Sequence, residues 1–326
     1  SDVYKRQTLY YSHPDFLKHD TGRSHPESAA RLTHIQQALN TERFEKLVRI
    51  TAPLRSDVQE LVKLVHKPEL IAKVLQPVEK ELQVYLDGDT ILSSGSAHAA
   101  LLAVSANCDA VDKVCKQQAN NAFCAVRPPG HHAAPDQAMG FCLFNNIAIA
   151  AEYARQAYQI DKVAIVDFDV HHGNGTQAAF EHNPNVFYAS SHQMPLYPGT
   201  GNPQDKGVGN ILNIPLHAGE TGEAVRRKYQ KFIFPVLNAF KPDLLLISAG
   251  FDVHKDDPLG SVQLIEDDYQ WLTENLLTIA KQHCAGRVIS SLEGGYHLTA
   301  LANSVAVHIA ALLNMRIKSI KVEYLT

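Results

Sequence analysis

Residues 163–175 read VAIVDFDVHHGNG. The run Val163-Ala164-Ile165-Val166 is apolar throughout and leads into Asp167, Asp169 and His171. A short apolar run closed by a turn signal reads as a strand buried on both faces, the signature of a parallel sheet. Strand side chains alternate, so Asp167, Asp169 and His171 are expected to project to one side at the strand's C-terminal end. Ionised groups are costly to bury without a partner. The stretch therefore reads either as a divalent-metal site or as a strand end with solvated polar side chains. Gly173 and Gly175 then let the backbone turn.

Outward from this strand the chain alternates. Short β-prone runs are expected as strands at 8–12, 46–51, 122–126, 186–190, 211–216, 243–248 and 288–292. Helical periodicity predicts helices at 96–116, 146–158, 267–282 and 298–313, and at 221–240 with a kink at Pro235. Two short helices are expected at 57–66 and 68–75. A further helix is expected to open at Ser24 or His25-Pro26, with Glu27 in its first turn. The acids of Asp87-Gly88-Asp89-Thr90 read as a solvated turn. Strand, loop and helix in repetition predict an α/β fold, a mainly parallel sheet covered by helices. No linker, internal repeat or low-complexity segment divides it, so residues 8–326 are read as a single domain.

The 326 residues are 45% hydrophobic and 20% charged, the composition of an ordinary globular protein. A net charge of -4 leaves no basic excess for nucleic acid. No apolar run reaches the roughly 18 residues a membrane helix needs. The first twelve residues, SDVYKRQTLYYS, lack the apolar core of a signal peptide. The chain does not begin with Met, and its first seven residues are expected to lie outside the fold. The five cysteines are odd in number and form no C-x-x-C pair, which points away from a disulfide framework and towards a reducing, cytoplasmic setting. Seventeen histidines favour metal or proton-transfer chemistry.

In α/β sheets, ligands bind at the carboxyl ends of the strands, and four loops leaving such ends hold residues that packing does not explain. After Val126 come His131 and His132 in a proline-stiffened turn, candidates for general acid/base work. After Phe168 come Asp169 and His171, and after Ser248 comes Asp252. Asp-His-Asp with an open fourth position is a catalytic ligand pattern for zinc, and iron or manganese suit the same donors. After Leu292 comes Glu293-Gly294-Gly295-Tyr296, which reads either as a tyrosine hydroxyl in the same cleft or as a rim tyrosine beside a flexible turn. Together these parts predict metal-assisted amide hydrolysis, with a histidine as base and Tyr296 steadying the oxyanion. Cys142 reads as a buried small residue. No Gly-x-Gly-x-x-Gly opens a helix, which argues against dinucleotide binding.

Blocks along nearly the whole chain resemble the zinc-dependent histone deacetylase family, in particular its class II branch and the bacterial histone deacetylase-like amidohydrolases. They are HPE at 25–27, RPPGHH at 127–132, GFCLFNN at 140–146, DFDVHHGNGTQ at 167–177, YPGTG at 197–201, SAGFDVHKDDPLG at 248–260 and EGGY at 293–296. The resemblance implies the arginase/deacetylase fold, one α/β domain around an eight-stranded, mainly parallel sheet. It implies one zinc ion on Asp169, His171 and Asp252, with His131 and His132 as a tandem acid/base pair. It puts Asp167 behind His131 and Asn174 behind His132. Many class I members carry an aspartate where Asn174 stands, and the resemblance implies that Asn174 would make His132 a weaker base and a readier proton donor. By the same resemblance, Tyr296 would polarise the scissile carbonyl. The resemblance also assigns Gly140, Phe141, Tyr197 and Leu259 to a narrow acyl-lysine tunnel. Leu259 stands near where polyamine-preferring relatives place a glutamate, which by the resemblance favours acyl-lysine or a neutral amide.

The resemblance also implies structural K+ or Na+. One site uses Asp167, Asp169, His171 and Ser190, and another, near Phe180 and Val186, uses backbone carbonyls. The implied substrates are acylated lysine in a peptide or protein, with acetylpolyamine or another small acylated amine as the alternative. Neither nucleic acid nor membrane is an expected partner, and a homo-oligomer is open. Two rivals are weighed against this. A two-metal ureohydrolase of the arginase type needs further acidic ligands, yet His172-Gly173-Asn174 supplies none. A non-catalytic acyl-binding protein would not need Tyr296 and both histidines.

Overall fold

Val163–Asp167 is a strand with every residue buried, as its apolar run predicts. In the computed structural model, which describes residues 7–315, it is one of ten strands. These are β1 (Thr8–Ser12), β2 (Val48–Thr51), β3 (Val84–Tyr85), β4 (Ile91–Leu92), β5 (Asn121–Cys124), β6 (Val163–Asp167), β7 (Val186–Gln193), β8 (Ile211–Leu216), β9 (Leu244–Ala249) and β10 (Val288–Leu292). Eight of them form one sheet in the order β2-β1-β5-β10-β9-β6-β7-β8, and every pairing in it is parallel. β3 and β4 make a separate antiparallel hairpin.

The central strands are apolar because helices flank them. Helix Leu298–Leu312 is buried almost all round and packs against helices Ala30–Leu39 and Glu266–His283. Helix Ser96–Cys115 packs against helix Asn146–Tyr158 and also touches β5 and β10. One large apolar cluster runs through the sheet and its helices. A smaller one, including Val62, Val104, Leu143 and Phe144, supports the hairpin side. Each fully buried Val, Leu or Ile in these clusters contributes about 1.5–3 kcal/mol. The single-domain reading reaches residue 326, and its last part, 316–326, lies outside the described residues.

Four local expectations change. The helix predicted to open at Ser24 or His25 begins at Ala30, because Glu27 is drawn into a buried ion-pair network. The 221–240 helix is divided into Gly222–Lys228, a π turn Tyr229–Ile233 and Phe234–Phe240. Pro235 has no N–H to give the preceding turn, so the widening falls just ahead of it. The turn at Asp87–Thr90 closes the β3–β4 hairpin, with Asp87 Oδ1 accepting the backbone N–H groups of Asp89 (3.0 Å) and Thr90 (2.6 Å). Asn174, read first as part of a turn, opens the helix Asn174–Phe180.

Candidate active site and metal centre

β5, β10, β9 and β6 are consecutive in the sheet, so the four chemistry-bearing loops leave four neighbouring strand ends. β6 ends at Asp167, and alternation along a strand therefore does not bring Asp169 and His171 together. The turn after β6 does: Asp169 donates its N–H to Asp167 Oδ1 (3.1 Å) and His171 donates its own to Asp169 Oδ1 (2.9 Å). Asp252 reaches in from the loop after β9, and its Oδ1 accepts the Val170 N–H at 2.8 Å.

His171 Nδ1 lies 3.0 Å from Asp169 Oδ1 and 3.1 Å from Asp252 Oδ2. One ligand atom from each of Asp169, His171 and Asp252 lies within 4.8 Å of the others, and all three residues are buried. Burial pushes the Asp252 carboxyl up to about 7, with the nearby charge of Asp169 adding to it. On Asp169 burial acts the same way, but His131 and His171 outweigh it and hold the carboxyl below its usual range. Two buried carboxylates and an imidazole this close fit a divalent cation with mixed O and N preference. The backbone is shaped round them. A Cβ on Gly250 would stand 2.1 Å from Asp169 Oδ2, and one on Gly294 would stand 2.1 Å from Asp252 Oδ2.

His131 and His132 sit side by side, ring centroids 4.0 Å apart. Glu293 holds their loop: its Oε2 accepts the N–H groups of Gly130 (2.7 Å) and His131 (3.1 Å), and its Oε1 accepts the Ser248 hydroxyl. The two histidines have different partners. His131 Nδ1 faces Asp167 Oδ2 at 3.0 Å. His132 Nδ1 faces Asn174 Oδ1 at 2.8 Å. Burial disfavours charge on both. For His131 the carboxylates of Asp167 and Asp169 outweigh burial, and its pKa is lifted well above the ordinary value. For His132 burial is joined by the nearby His131 and His171, and its pKa falls well below the ordinary value.

Tyr296 lies on the loop after β10, and two residues that the sequence does not single out, Arg31 and Asp257, hold that loop. Arg31 donates to the carbonyl of Gly295 (2.7 Å) and to that of Glu293, and its guanidinium lies 5.1 Å from the Tyr296 ring centroid. Asp257 Oδ2 accepts the N–H groups of Tyr296 (2.6 Å) and His297 (3.2 Å). Glu27 is buried between Arg31 and Arg127, accepting from Arg31 at 3.2 Å and from Arg127 at 2.5 and 2.8 Å. Burial raises the Tyr296 pKa well above the usual phenol value, so its hydroxyl keeps its proton.

A cavity of about 260 Å³ opens over this floor, and its lining includes His132, His171, Gly140, Phe141, Tyr197, Leu259 and Tyr296. The expected tunnel residues are thus all brought together. Gly140, at φ +55°, packs so closely that a Cβ there would stand 2.5 Å from the His132 ring and 3.0 Å from that of Tyr197. Phe141, also at positive φ (69°), meets the Tyr296 ring edge-on at 5.8 Å. Leu196 and Asp89 complete the lining. The sequence alone predicts Asp89 in a solvated turn. The hairpin instead brings it to the tunnel, where burial and the neighbouring Asp87 raise its pKa. Cys142 is fully buried, as expected.

Behind the metal-ligand candidates, β6 and β7 set Ser190 beside Asp167 in register, and Ser190 Oγ lies 2.8 Å from His192 Nδ1. His172, next to a metal-ligand candidate, turns away to Thr200 (2.7 Å) and Gln177 (3.0 Å). The carbonyls of Phe180 and Val186 converge about 3 Å from a buried amide rather than on open space.

Comparison with known proteins shows the family and the fold. Residues 25–312 match the family model of the histone deacetylase domain. An uncharacterized protein of Synechocystis sp. is 44% identical over 306 residues, covering 92% of this chain and 97% of the relative. The chloroplastic histone deacetylase 14 of Arabidopsis thaliana is 37% identical over 324 residues, covering 94% of this chain and 76% of the relative. The crystal structure of the HDA15 HD domain superposes with a TM-score of 0.89 at 35% identity, over 95% of this chain and 90% of that one. Among the described residues no helix is long and apolar enough to cross a membrane.

Proposed function

This chain belongs to the histone deacetylase family, and from that premise we propose that it is a zinc-dependent hydrolase removing acyl groups from acyl-lysine side chains. One observation carries the reading: Asp169, His171 and Asp252 converge under a narrow, aromatic-walled cavity that also holds His132 and Tyr296. Asp169, His171 and Asp252 would hold the zinc, which when bound supplies Lewis acidity towards water and the acyl oxygen. Among the described residues one such ligand group is found, which favours this reading over a two-metal ureohydrolase.

The chain's own groups do the rest. Asn174 Oδ1 can only accept, so it holds the hydrogen of His132 on Nδ1 and leaves Nε2 with a free lone pair. With its pKa well below the ordinary value, His132 is neutral at neutral pH. It takes a proton from water and gives it up readily to the leaving amine. His131, paired with Asp167, stays the charged member and contributes field rather than proton transfer. The Tyr296 hydroxyl donates to the developing oxyanion. Gly140, Phe141 and Tyr197 leave a slot for an apolar lysine stem, and Leu259 offers no charge at the opening. The implied monovalent cation beside Asp167, Asp169, His171 and Ser190 would stiffen the turn after β6. The five unpaired cysteines are compatible with a reducing compartment such as the cytoplasm.

The test is release of acetate from acetyl-lysine peptides by zinc-loaded protein, with activity lost to a chelator and restored by zinc. A protein that binds one zinc per chain and turns over no acyl-lysine peptide or acylated amine would overturn the reading. One observation favours a second substrate. Asp89 places a carboxylate at the cavity, where it could meet the distant ammonium of an acetylated polyamine. Acetylpolyamines therefore belong in the same screen, with Asp89→Ala expected to raise their KM more than that of the peptides.

A further inference from the structure

The resemblance implies a monovalent cation held by backbone carbonyls near Phe180 and Val186. The carbonyls are there. The oxygens of Phe180, Asn183 and Val186 lie 2.7, 2.9 and 2.8 Å from one point, and that point is the side-chain nitrogen of Asn210. Rings of carbonyl oxygens are the means by which proteins replace the hydration shell of a K+ ion. Here an uncharged NH2 group sits where that ion would. It offers two hydrogens to three acceptors, so the set of oxygens is richer than an amide alone requires. Two of the three carbonyls also accept within the loop, from Asn183 N–H (2.8 Å) and Val186 N–H (3.1 Å), which keeps the loop wrapped round the same centre.

The orientation of the amide follows from its surroundings. Asn210 Oδ1 accepts the Val208 N–H at 3.2 Å. Turning the group over would set that oxygen against three carbonyl oxygens and the NH2 against an N–H. Asn210 is also fastened by its backbone, whose carbonyl accepts the Tyr188 N–H at 2.9 Å. Gly207 presses from outside: a Cβ there would stand 2.6 Å from Asn210 Oδ1 and 2.6 Å from the Glu181 carbonyl. The side chain is 3% exposed and has no second place to go.

We propose that the Asn210 amide takes the place of the cation in this cage, so that the turn between helix Asn174–Phe180 and β7 is closed without an ion. The residues present do not fit a K+ ion while the amide nitrogen stands within hydrogen-bond reach of all three oxygens. The inference concerns the turn and stands apart from the proposed reaction.

Thallium(I), a heavy stand-in for K+, tests it. Crystals of the wild-type protein grown with a thallium salt are expected to show no anomalous peak among the three carbonyls. Asn210→Ala, which removes the NH2 and leaves the oxygens, is expected to show one. Its melting temperature should rise by several degrees more than that of wild type when KCl replaces choline chloride. A peak in the wild-type cage would overturn the proposal. So would a folded Asn210→Ala protein with neither a peak nor an added response to K+. Should that variant not fold, Asn210→Asp sets a carboxylate against the three oxygens and is expected to fold only with K+ present. Equal folding of Asn210→Asp in choline chloride would count against the cage being a cation site.

Discussion

The Tyr188 hydroxyl donates to Asp167 Oδ2 at 2.9 Å, the same oxygen that His131 Nδ1 faces at 3.0 Å. Tyr188 reaches it from β7, two positions before the residue paired with Asp167. The junction is so tight that a Cβ on Gly173 would stand 2.4 Å from both Asp167 Oδ2 and the Tyr188 oxygen. Asp167 thus holds His131 with one oxygen that is itself held.

Removing that hydroxyl in Tyr188→Phe leaves the buried ring in place. A hydrogen bond to a charged group contributes about 1.5–3 kcal/mol, and part of this fixes the Asp167 carboxylate. The expected outcome is a fall in kcat of about tenfold, equivalent to ~1.4 kcal/mol, with KM and zinc content unchanged. In an Asp167→Asn background the same change should have no further effect. Steady-state kinetics of the four proteins, with metal analysis, decides it. Additive losses would mean that Tyr188 acts elsewhere.

Tyr296→Phe keeps the ring contacts with Phe141 and Arg31 and removes only the donor. Loss of one oxyanion donor costs about 10²–10³ in kcat. The same fall is expected here, with the melting temperature unchanged. Activity within a few-fold of wild type would remove Tyr296 from the mechanism.

Asn174→Asp gives His132 a charged partner in place of a neutral one. A carboxylate beside an imidazole favours the protonated form and raises its pKa, by about one to three pH units for close pairs. A base must be unprotonated to act, so the acidic limb of kcat/KM should move to higher pH by that amount. A profile of kcat/KM against pH for the two proteins tests this. An unmoved acidic limb would assign it to another group.

Glu27 links helix Ala30–Leu39 to the loop after β5. Burial opposes its charge, but Arg127 outweighs burial and holds the carboxyl down to about 2, against an ordinary 4.5. A depressed folded-state pKa stabilises above the unfolded value and is lost as pH falls through the folded one. The charged form therefore contributes roughly 3 kcal/mol above about pH 4.5, fading towards pH 2. Glu27→Gln also leaves two buried guanidiniums short of a counter-charge, at a cost of about 3–5 kcal/mol. Urea unfolding at pH 7 and pH 3 should show the wild type's advantage narrowing in acid. A gap that stays constant would contradict the assignment.

The strands and the candidate metal ligands are legible because local sequence carries them. An apolar run such as Leu244-Leu245-Leu246-Ile247 needs no neighbour to be recognised, and Asp169, His171 and Asp252 follow such runs directly. Arg31, Asp257 and Tyr188 were not legible, since each acts on a group far away in the chain: Arg31 on the Gly295 carbonyl, Asp257 on the Tyr296 N–H, Tyr188 on Asp167. Asp89 shows the same limit. Its turn is evident from the sequence, but nothing local says that the turn leans over the cavity. The misplaced start of the Ala30–Leu39 helix has a tertiary cause too. Ser24 and Pro26 are sound opening signals, but Glu27 is held outside the helix by Arg127, one hundred residues away.

The floor and the mouth of the cavity come from different parts of the chain. The floor is carried by the ends of β5, β6, β9 and β10. Asp89 stands on the hairpin turn, and Leu196 and Tyr197 follow β7. Those mouth segments hold neither the metal-ligand candidates nor the histidine pair. Selection, or a designer, can therefore exchange the lip residue by residue and redirect the enzyme to new amides while the chemistry beneath is inherited intact.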